Sequence, residues 1–253
     1  MSNPSNTDPD SQSARPRLGR LLLHLALISG LIVGSLARPA QAGDKQEGKV
    51  RNSRWVYEEV LQNPAARLPA PMLDATKCVA IFPGLKEAAI AFGGRHGTGV
   101  ISCRNDEGAW SPPAFLKLSG GSFGLQLGFQ ASDIMMFFVT DKAAKTILEP
   151  QFALGGDVSV AAGPYSDTAG VTTAKDLTAD IYIYSKASGL FAGASFEGTR
   201  LAMSGKAIRK YYGHYIWPGA ILFEHEVPFM PAEAQEFIDG LQLISWEQEL
   251  ERP

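Results

Sequence analysis

Cysteine and histidine are scarce in this chain, which has two cysteines and four histidines among 253 residues. It has no C-x-x-C, H-E-x-x-H or EF-hand pattern, so the usual sequence signatures of zinc and calcium sites are missing. Glu224-His225-Glu226 carries metal-ligating side chains, but neighbouring strand residues point to opposite faces, and only the two glutamates would converge. The sequence therefore predicts neither a metal site nor a cofactor.

An excess of positive charge is also missing, since 26 acidic and 23 basic residues give a formal net charge of -3. Sequence-independent binding of nucleic acids depends on neutralising phosphates with lysine and arginine. The composition therefore argues against a nucleic acid as the partner. A chain with this net charge can still contain local basic patches.

A long apolar run occurs near the N-terminus, at Leu21–Leu36. Three arginines between residues 15 and 20 precede it, and Ala40-Gln41-Ala42 supplies the small residues of a cleavage site. This order is typical of a secretory signal peptide. The sequence therefore predicts a signal peptide over residues 1–42 and a single domain over residues 43–253. An uncleaved membrane anchor is the alternative, although the run is short for a span of about 20 residues.

The two cysteines, Cys78 and Cys103, predict one disulfide, because exported chains commonly oxidise such pairs. By closing the loop between them, the bond would stabilise the fold by on the order of 3 kcal/mol. Two reduced, buried thiols are the alternative.

Hydrophobic spacing changes twice along the rest of the chain. Residues 44–62 repeat apolar side chains at helical spacing, whereas short apolar segments bounded by turns follow from residue 77 to about 139. Glycines inside those segments favour a strongly coiled sheet. Helical spacing returns after Pro231 and continues to about Glu249. We therefore predict an α+β fold, with a strongly coiled, mostly antiparallel, barrel-like sheet flanked by N-terminal and C-terminal helices. Residues 219–223 are predicted as a last strand.

The stretch from Phe92 to Cys103, FGGRHGTGVISC, resembles a phosphate-binding loop in its glycine content. Gly94 and Gly99 have the separation of a P-loop, but Val100 and Ile101 stand where lysine and a hydroxyl residue are required. We interpret the stretch as a hairpin in which Gly94 and Gly97 adopt positive φ.

A second glycine-rich segment, Gly120–Gly124, matches the nucleophile pattern G-x-S-x-G around Ser122. That motif requires a helix after the serine, whereas the residues that follow alternate as a strand does. A serine hydrolase that uses Ser122, with His214 or His225 as a possible base, remains an alternative function.

Two groups of residues combine basic and aromatic side chains: Lys45, Lys49, Arg51, Arg54 and Trp55 in the first, and Lys206, Arg209, Lys210, Tyr211, Tyr212, Tyr215 and Trp217 in the second. In such groups cations contact lipid phosphates while amphipathic rings lie at the membrane interface. A solvated helix face and a partly buried aromatic cluster are the alternative interpretation. The predicted membrane-binding residues are Lys49, Arg51, Arg54 and Trp55 in the first group, and Lys206, Arg209, Lys210, Tyr212 and Trp217 in the second.

Seven short motifs follow one another between Val50 and Gly213. They are Cys78–Pro83, Phe92–Val100, Trp110–Phe115, Gly124–Gly128, Leu154–Pro164, Tyr184–Lys186 and Gly189–Gly198. This succession resembles the SYLF lipid-binding domain family. The resemblance implies a non-catalytic role at membranes, since eukaryotic members bind phosphoinositides and some engage actin.

The resemblance and the signal peptide together predict an exported bacterial member of this family. We expect it to bind anionic phospholipids or a membrane surface in the cell envelope, as a periplasmic or exported protein that is peripheral to a membrane. Phosphoinositides and actin are not expected as partners of an exported chain. A structural envelope protein that binds protein partners is a further alternative.

Overall fold

Six helices and eight strands make up the described part of the chain, which in this computed structural model comprises residues 44–62, 68–90, 92–123, 128–163, 176–185 and 196–250. The helices are α1 Asp44–Gln62, α2 Ala70–Ala75, α3 Asp141–Thr146, α4 Gly205–Tyr212, α5 Pro218–Leu222 and α6 Ala232–Leu250. The strands are β1 Cys78–Ile90, β2 Phe92–Cys103, β3 Ala114–Phe123, β4 Gly128–Phe138, β5 Phe152–Ala153, β6 Val160–Ala162, β7 Ile181–Ser185 and β8 Arg200–Met203. The predicted signal segment 1–42 and most of the motif Gly189–Gly198 lie outside the described residues.

The eight strands form one sheet in the order β5-β8-β3-β2-β1-β4-β7-β6. Neighbouring strands run antiparallel except for β6 and β7, which are parallel. The sheet curls into a half-barrel with helices packed on it, which confirms the predicted α+β class and the coiled, mostly antiparallel sheet.

The first half of β1 lies at the centre of the core. Its residues from Cys78 to Phe82 are fully buried, as are Val100 and Ile101 in the neighbouring strand β2. Helix α1 contacts β1 and β2, and it buries Val50, Tyr57 and Val60 at helical spacing. Removing this apolar surface from water is the main force that holds the helix on the sheet.

The two long helices α1 and α6 pack against each other. Arg54 joins them, because its guanidinium forms an ion pair with Glu58 on its own helix at 2.7 Å and with Glu236 on α6 at 3.0 Å. Gly240 on α6 lies against the Arg54 side chain, where a Cβ would be 3.5 Å from Cγ. Among the described helices, none is both long enough and apolar enough to traverse a membrane.

The predicted disulfide between Cys78 and Cys103 is confirmed. The two residues are directly opposite each other in the β1–β2 ladder, with their Cα atoms 3.9 Å apart, and both are fully buried. The bond therefore joins the start of β1 to the end of β2, in the middle of the core.

The glycine-rich stretch does not contain the hairpin that its composition predicts. Residues 92–103 form one continuous strand, and neither Gly94 nor Gly97 has a positive φ. The glycines instead leave room for side chains of β1. A Cβ on Gly99 would lie 2.6 Å from Phe82 Cδ1, and a Cβ on Gly97 would collide with the Leu85 side chain. Glycine is therefore required here for close packing against β1.

A second correction concerns residues 219–223, which the sequence predicts as a strand. Residues 219–222 belong to the short helix α5 and Phe223 caps its C-terminus; Pro218 occupies the first turn, and Ile221 and Leu222 are buried. Proline is favoured at that position, because its missing N–H group would have no partner there and its φ already suits a helix.

Candidate functional site: a lysine-lined cleft

A cleft of about 220 Å³ opens between α1, α4 and the strands β2 and β3. We call it the lysine cleft, because five of its lining residues are lysines: Lys45, Lys49, Lys117, Lys206 and Lys210. The uncharged polar residues Gln46, Thr98 and Ser204 line it as well.

Three separate elements supply these lysines. Lys45 and Lys49 are one helical turn apart on α1, and Lys206 and Lys210 are one turn apart on α4, so each pair projects from one side of its helix. Lys117 is on β3, directly opposite Thr98 in β2. Because α1 contacts α4 and α4 contacts β3, the three elements bring their lysines to the same cleft.

A bulge in β1 helps to place Lys49. The register of β1 shifts between Phe82 and Leu85 against β4, and Gly84 within the shift has a φ of 62°. The Pro83 carbonyl that this bulge turns outward accepts a hydrogen bond of 3.0 Å from Lys49 Nζ. The pKa of Lys49 is lowered, because burial and then the nearby positive charge of Lys45 disfavour its charged form, while Asp133 opposes them.

The cleft carries positive charge that no carboxylate of the described residues neutralises by direct contact. In the described part of the chain, none of the five lysines forms an ion pair. Asp133 is close enough to Lys49 to affect its pKa, but one of its oxygens already accepts a hydrogen bond from the Gly84 backbone N–H. Several unpaired ammonium groups around one concave surface attract an anion.

The nine predicted membrane-binding residues divide into different environments. Lys49, Lys206 and Lys210 line the cleft, and Arg209 is exposed on the same helix as the last two. Arg51 is exposed and lies 3.9 Å from Glu47, while Arg54 is occupied by its ion pairs with Glu58 and Glu236.

The predicted aromatic residues also differ from one another in exposure. Trp55 on α1 and Trp217 before α5 expose 70% and 53% of their surface, respectively, and Tyr215 exposes 49%. Tyr212 is instead a core residue, 1% exposed, and its hydroxyl donates a hydrogen bond of 2.8 Å to the Pro113 carbonyl. Tyr212 therefore fixes α4 to the sheet, whereas the three exposed rings are available to a partner.

Two exposed rings are held close to the protein by glycines. The Tyr215 ring lies against Gly205, the first residue of α4 and the neighbour of Lys206, where a Cβ would be 2.9 Å from Tyr215 Cε2. The Trp217 ring packs in the same way on Gly219. These contacts place aromatic surface beside the helix that carries all three basic residues of the second group.

Sequence reasoning placed Lys45 in the first basic and aromatic group, one helical turn before Lys49, but did not select it as a membrane-binding residue. It missed Lys117 altogether, because the place of this residue in the cleft depends on the pairing of β2 with β3 and on the approach of two helices from distant parts of the chain.

The alternative catalytic serine lacks the backbone that its motif requires. Ser122 lies within β3, opposite Gly93 in a regular antiparallel ladder, and not on a turn from a strand into a helix. The described residues also contain no group of three or more His, Cys, Asp or Glu side chains that could hold a metal ion.

A curled sheet with a basic cleft on its helix-bearing face defines a binding domain. A family model described as "Ysc84: Las17-binding protein actin regulator" matches residues 119–244. Over 149 residues the chain is 38% identical to "LAS seventeen-binding protein 3" of Saccharomyces cerevisiae, covering 58% of this chain and 32% of that protein. Over 189 residues it is 30% identical to "SH3 domain-containing YSC84-like protein 1" of Bos taurus, covering 74% of this chain and 54% of that protein.

The human protein of the same name is 31% identical over 179 residues, covering 70% of this chain and 52% of its own length. The chain belongs to the Ysc84 family, the family of SYLF domains. It spans about half, or less, of the length of these relatives.

Proposed function

We propose that this protein binds anionic phospholipid at a membrane surface without catalysis, and that the lysine cleft receives the lipid phosphate. The observation that carries the proposal is the convergence of five lysines from α1, β3 and α4 on one cleft, with no ion pair among the described residues. A chain with a net charge of -3 has no general excess of basic residues to explain this concentration.

The size of the cleft favours a headgroup over a whole lipid. Pockets that enclose drug-sized ligands measure roughly 300–1,000 Å³, whereas the lysine cleft measures about 220 Å³. A phosphate and its nearest substituent fit that volume, so the acyl chains would remain in the bilayer. Ser204, Thr98 and Gln46 add uncharged hydrogen-bonding groups to the cleft wall.

The exposed rings supply the second part of a membrane contact. Tyr and Trp prefer the boundary between headgroups and acyl chains, because one end of each ring system is apolar and the other end hydrogen-bonds. Tyr215 and Trp217 follow directly after α4, whose Lys206 and Lys210 line the cleft. The first 42 residues, with their signal-peptide pattern, support a cell-envelope location for this activity.

Vesicle co-sedimentation tests the proposal. Vesicles of phosphatidylglycerol or cardiolipin should retain the protein at low salt and release it as salt is raised, because exposed charges are screened over about 8–10 Å at physiological ionic strength. Phosphatidylcholine vesicles are the matched uncharged control. Failure to bind any anionic vesicle at low salt would overturn the proposal.

Binding of a protein partner is the second candidate. It is favoured by the family description and by the name of the yeast relative, both of which refer to binding of a protein. An acidic segment of a partner would suit the same lysines. Crosslinking in the native envelope distinguishes the two functions, since a defined protein adduct without lipid retention supports the second.

A further inference from the structure

Strand register places basic side chains in a row across four adjacent strands. Lys86 in β1 is opposite His96 in β2, His96 is opposite Ser119 in β3, and Ser119 is opposite Arg200 in β8. Residues directly opposite each other in antiparallel strands project from the same face of the sheet. We call these four residues the basic row, and all four are exposed.

The basic row is continuous with the lysine cleft. Thr98 and Lys117, which line the cleft, lie two residues along β2 and β3 from His96 and Ser119, and therefore on the same face. At about 3.4 Å per residue the two rows are roughly 7 Å apart. With strands spaced about 4.8 Å apart, the row from Lys86 to Arg200 extends for roughly 14 Å beside the cleft.

No carboxylate of the described residues neutralises the basic row directly, since none of Lys86, His96 and Arg200 forms an ion pair with them. The guanidinium of Arg200 donates a hydrogen bond of 3.0 Å to the uncharged side-chain oxygen of Gln151.

The opposite face of the same strands differs. There Arg95 is buried, pairs with Glu87 at 3.5 Å and lies under the Phe196 ring. Among the described residues, basic charge is thus paired with a carboxylate on one face and not on the other.

We propose that the exposed part of this face that carries the basic row, on β1, β2, β3 and β8, lies against an anionic lipid bilayer, with the basic row in contact with headgroups around the one held in the lysine cleft. The inference rests on the proposed function and adds the orientation of the protein on the membrane. A bilayer suits the basic row because a bilayer presents an extended, negatively charged surface, whereas the cleft alone would accommodate a single anionic group.

A label at Ser119 measures the orientation directly. Both native cysteines are in the disulfide, so Ser119→Cys introduces a single free thiol in the full chain. An environment-sensitive fluorophore there should shift to the blue on phosphatidylglycerol vesicles and be quenched by brominated lipid. Asp106→Cys is the matched control. Asp106 is exposed and follows the C-terminal end of β2, whereas His96 and Ser119 lie near the other end of that strand. The C-terminal end of β2 is on the order of 25 Å from His96, at about 3.3 Å per residue.

Charge removal gives a second readout. Lys86→Gln/Arg200→Gln should weaken vesicle binding roughly ten- to thirtyfold at low salt, since each basic residue near an anionic surface contributes about a fivefold factor. Lys142→Gln/Lys145→Gln is the control, because it removes the same amount of charge from α3. That helix follows the C-terminal end of β4, where Phe138 is paired with Cys78, so the control should change binding less than twofold. Urea unfolding of both variants checks that each remains folded.

The outcomes separate the two proposals. Binding with a shifted Ser119 label and a weakened Lys86/Arg200 variant supports this orientation. Retained binding with an unchanged Ser119 label, or with equal affinity of the two charge variants, overturns the orientation and leaves the cleft in place. Absence of binding to anionic vesicles by the unmodified protein overturns the proposed function, and this inference with it.

Discussion

Thr98 and Lys117 lie directly opposite each other in the β2–β3 ladder, and both side chains line the lysine cleft. The pair forms the floor on which two helices place four further lysines. Strand register is set over the whole length of β2 and β3. It therefore determines where Lys117 lies relative to the lysines of α1 and α4.

The first prediction concerns the cleft itself. Lys117→Gln/Lys206→Gln removes two of its five charges, one from the strand and one from α4. We expect binding to phosphatidylglycerol vesicles to weaken roughly ten- to thirtyfold at low salt, at about 1 kcal/mol for each basic residue. Co-sedimentation across a salt series measures the change, which should shrink as salt rises.

The control for the cleft is again Lys142→Gln/Lys145→Gln on α3, where Lys142 is an exposed residue that lies 3.6 Å from Asp180. If both double variants lost the same affinity, net charge rather than the cleft would govern binding, and the assignment of the site would be wrong.

Much of the fold could be predicted from the sequence, because its signals are local. The helix Asp44–Gln62 has apolar side chains at helical spacing, and Thr140 caps α3 by accepting a hydrogen bond of 3.1 Å from the Ala143 backbone N–H. The disulfide followed from the presence of just two cysteines. The apolar segment 219–223 was misassigned because a run of five apolar residues suits either a strand or a buried helix.

The site could be predicted only in part, because it depends on tertiary contacts. The sequence identifies both basic and aromatic groups, but it does not reveal that Lys49 and Lys206 face one cleft while Arg54 pairs with Glu58. Tyr212 shows the same limit, since the sequence pattern does not separate a buried ring from its exposed neighbour Tyr215.

The second prediction concerns the disulfide. Cys78→Ala/Cys103→Ala should lower the free energy of unfolding by about 3 kcal/mol, because the bond restricts the unfolded chain over a sequence separation of 25 residues. Urea unfolding gives the difference, and thiol labelling of the denatured, unreduced wild-type protein should detect no free thiol. Equal stability of the two proteins, or two labelled thiols, would contradict the prediction.

The third prediction tests why β2 is rich in glycine. In Gly99→Ala the new methyl group would lie 2.6 Å from Phe82 Cδ1, so β1 and β2 must separate in the core. Overpacking of this kind costs about 1–3 kcal/mol, which urea unfolding measures. Gly94→Ala is the matched control on the same strand, where the nearest atom to the new Cβ would be the Gly120 carbonyl oxygen at 3.9 Å. A similar loss in both variants would show that backbone freedom, and not packing space, is what β2 requires.

The last prediction is a loss of stability at alkaline pH. Burial raises the pKa of Tyr57, Tyr211 and Tyr212 well above the ordinary value of 10.0, because the phenolate is poorly solvated in the core, and Glu233 adds to the effect at the last two. Below about pH 10 both states are protonated and the contribution to stability is fully present. Above it the unfolded chain loses protons that the folded chain keeps, so the free energy of unfolding falls by about 1.4 kcal/mol per pH unit for each tyrosine.

Tyr212→Phe is the variant that checks this cause. At neutral pH it should cost about 1 kcal/mol, because the Pro113 carbonyl loses its hydrogen bond. Above about pH 10 its free energy of unfolding should decline less steeply than that of the wild-type protein, since one fewer buried tyrosine is linked to folding. Urea unfolding at a series of pH values measures both slopes. Parallel slopes for the two proteins would show that other groups cause the alkaline loss of stability.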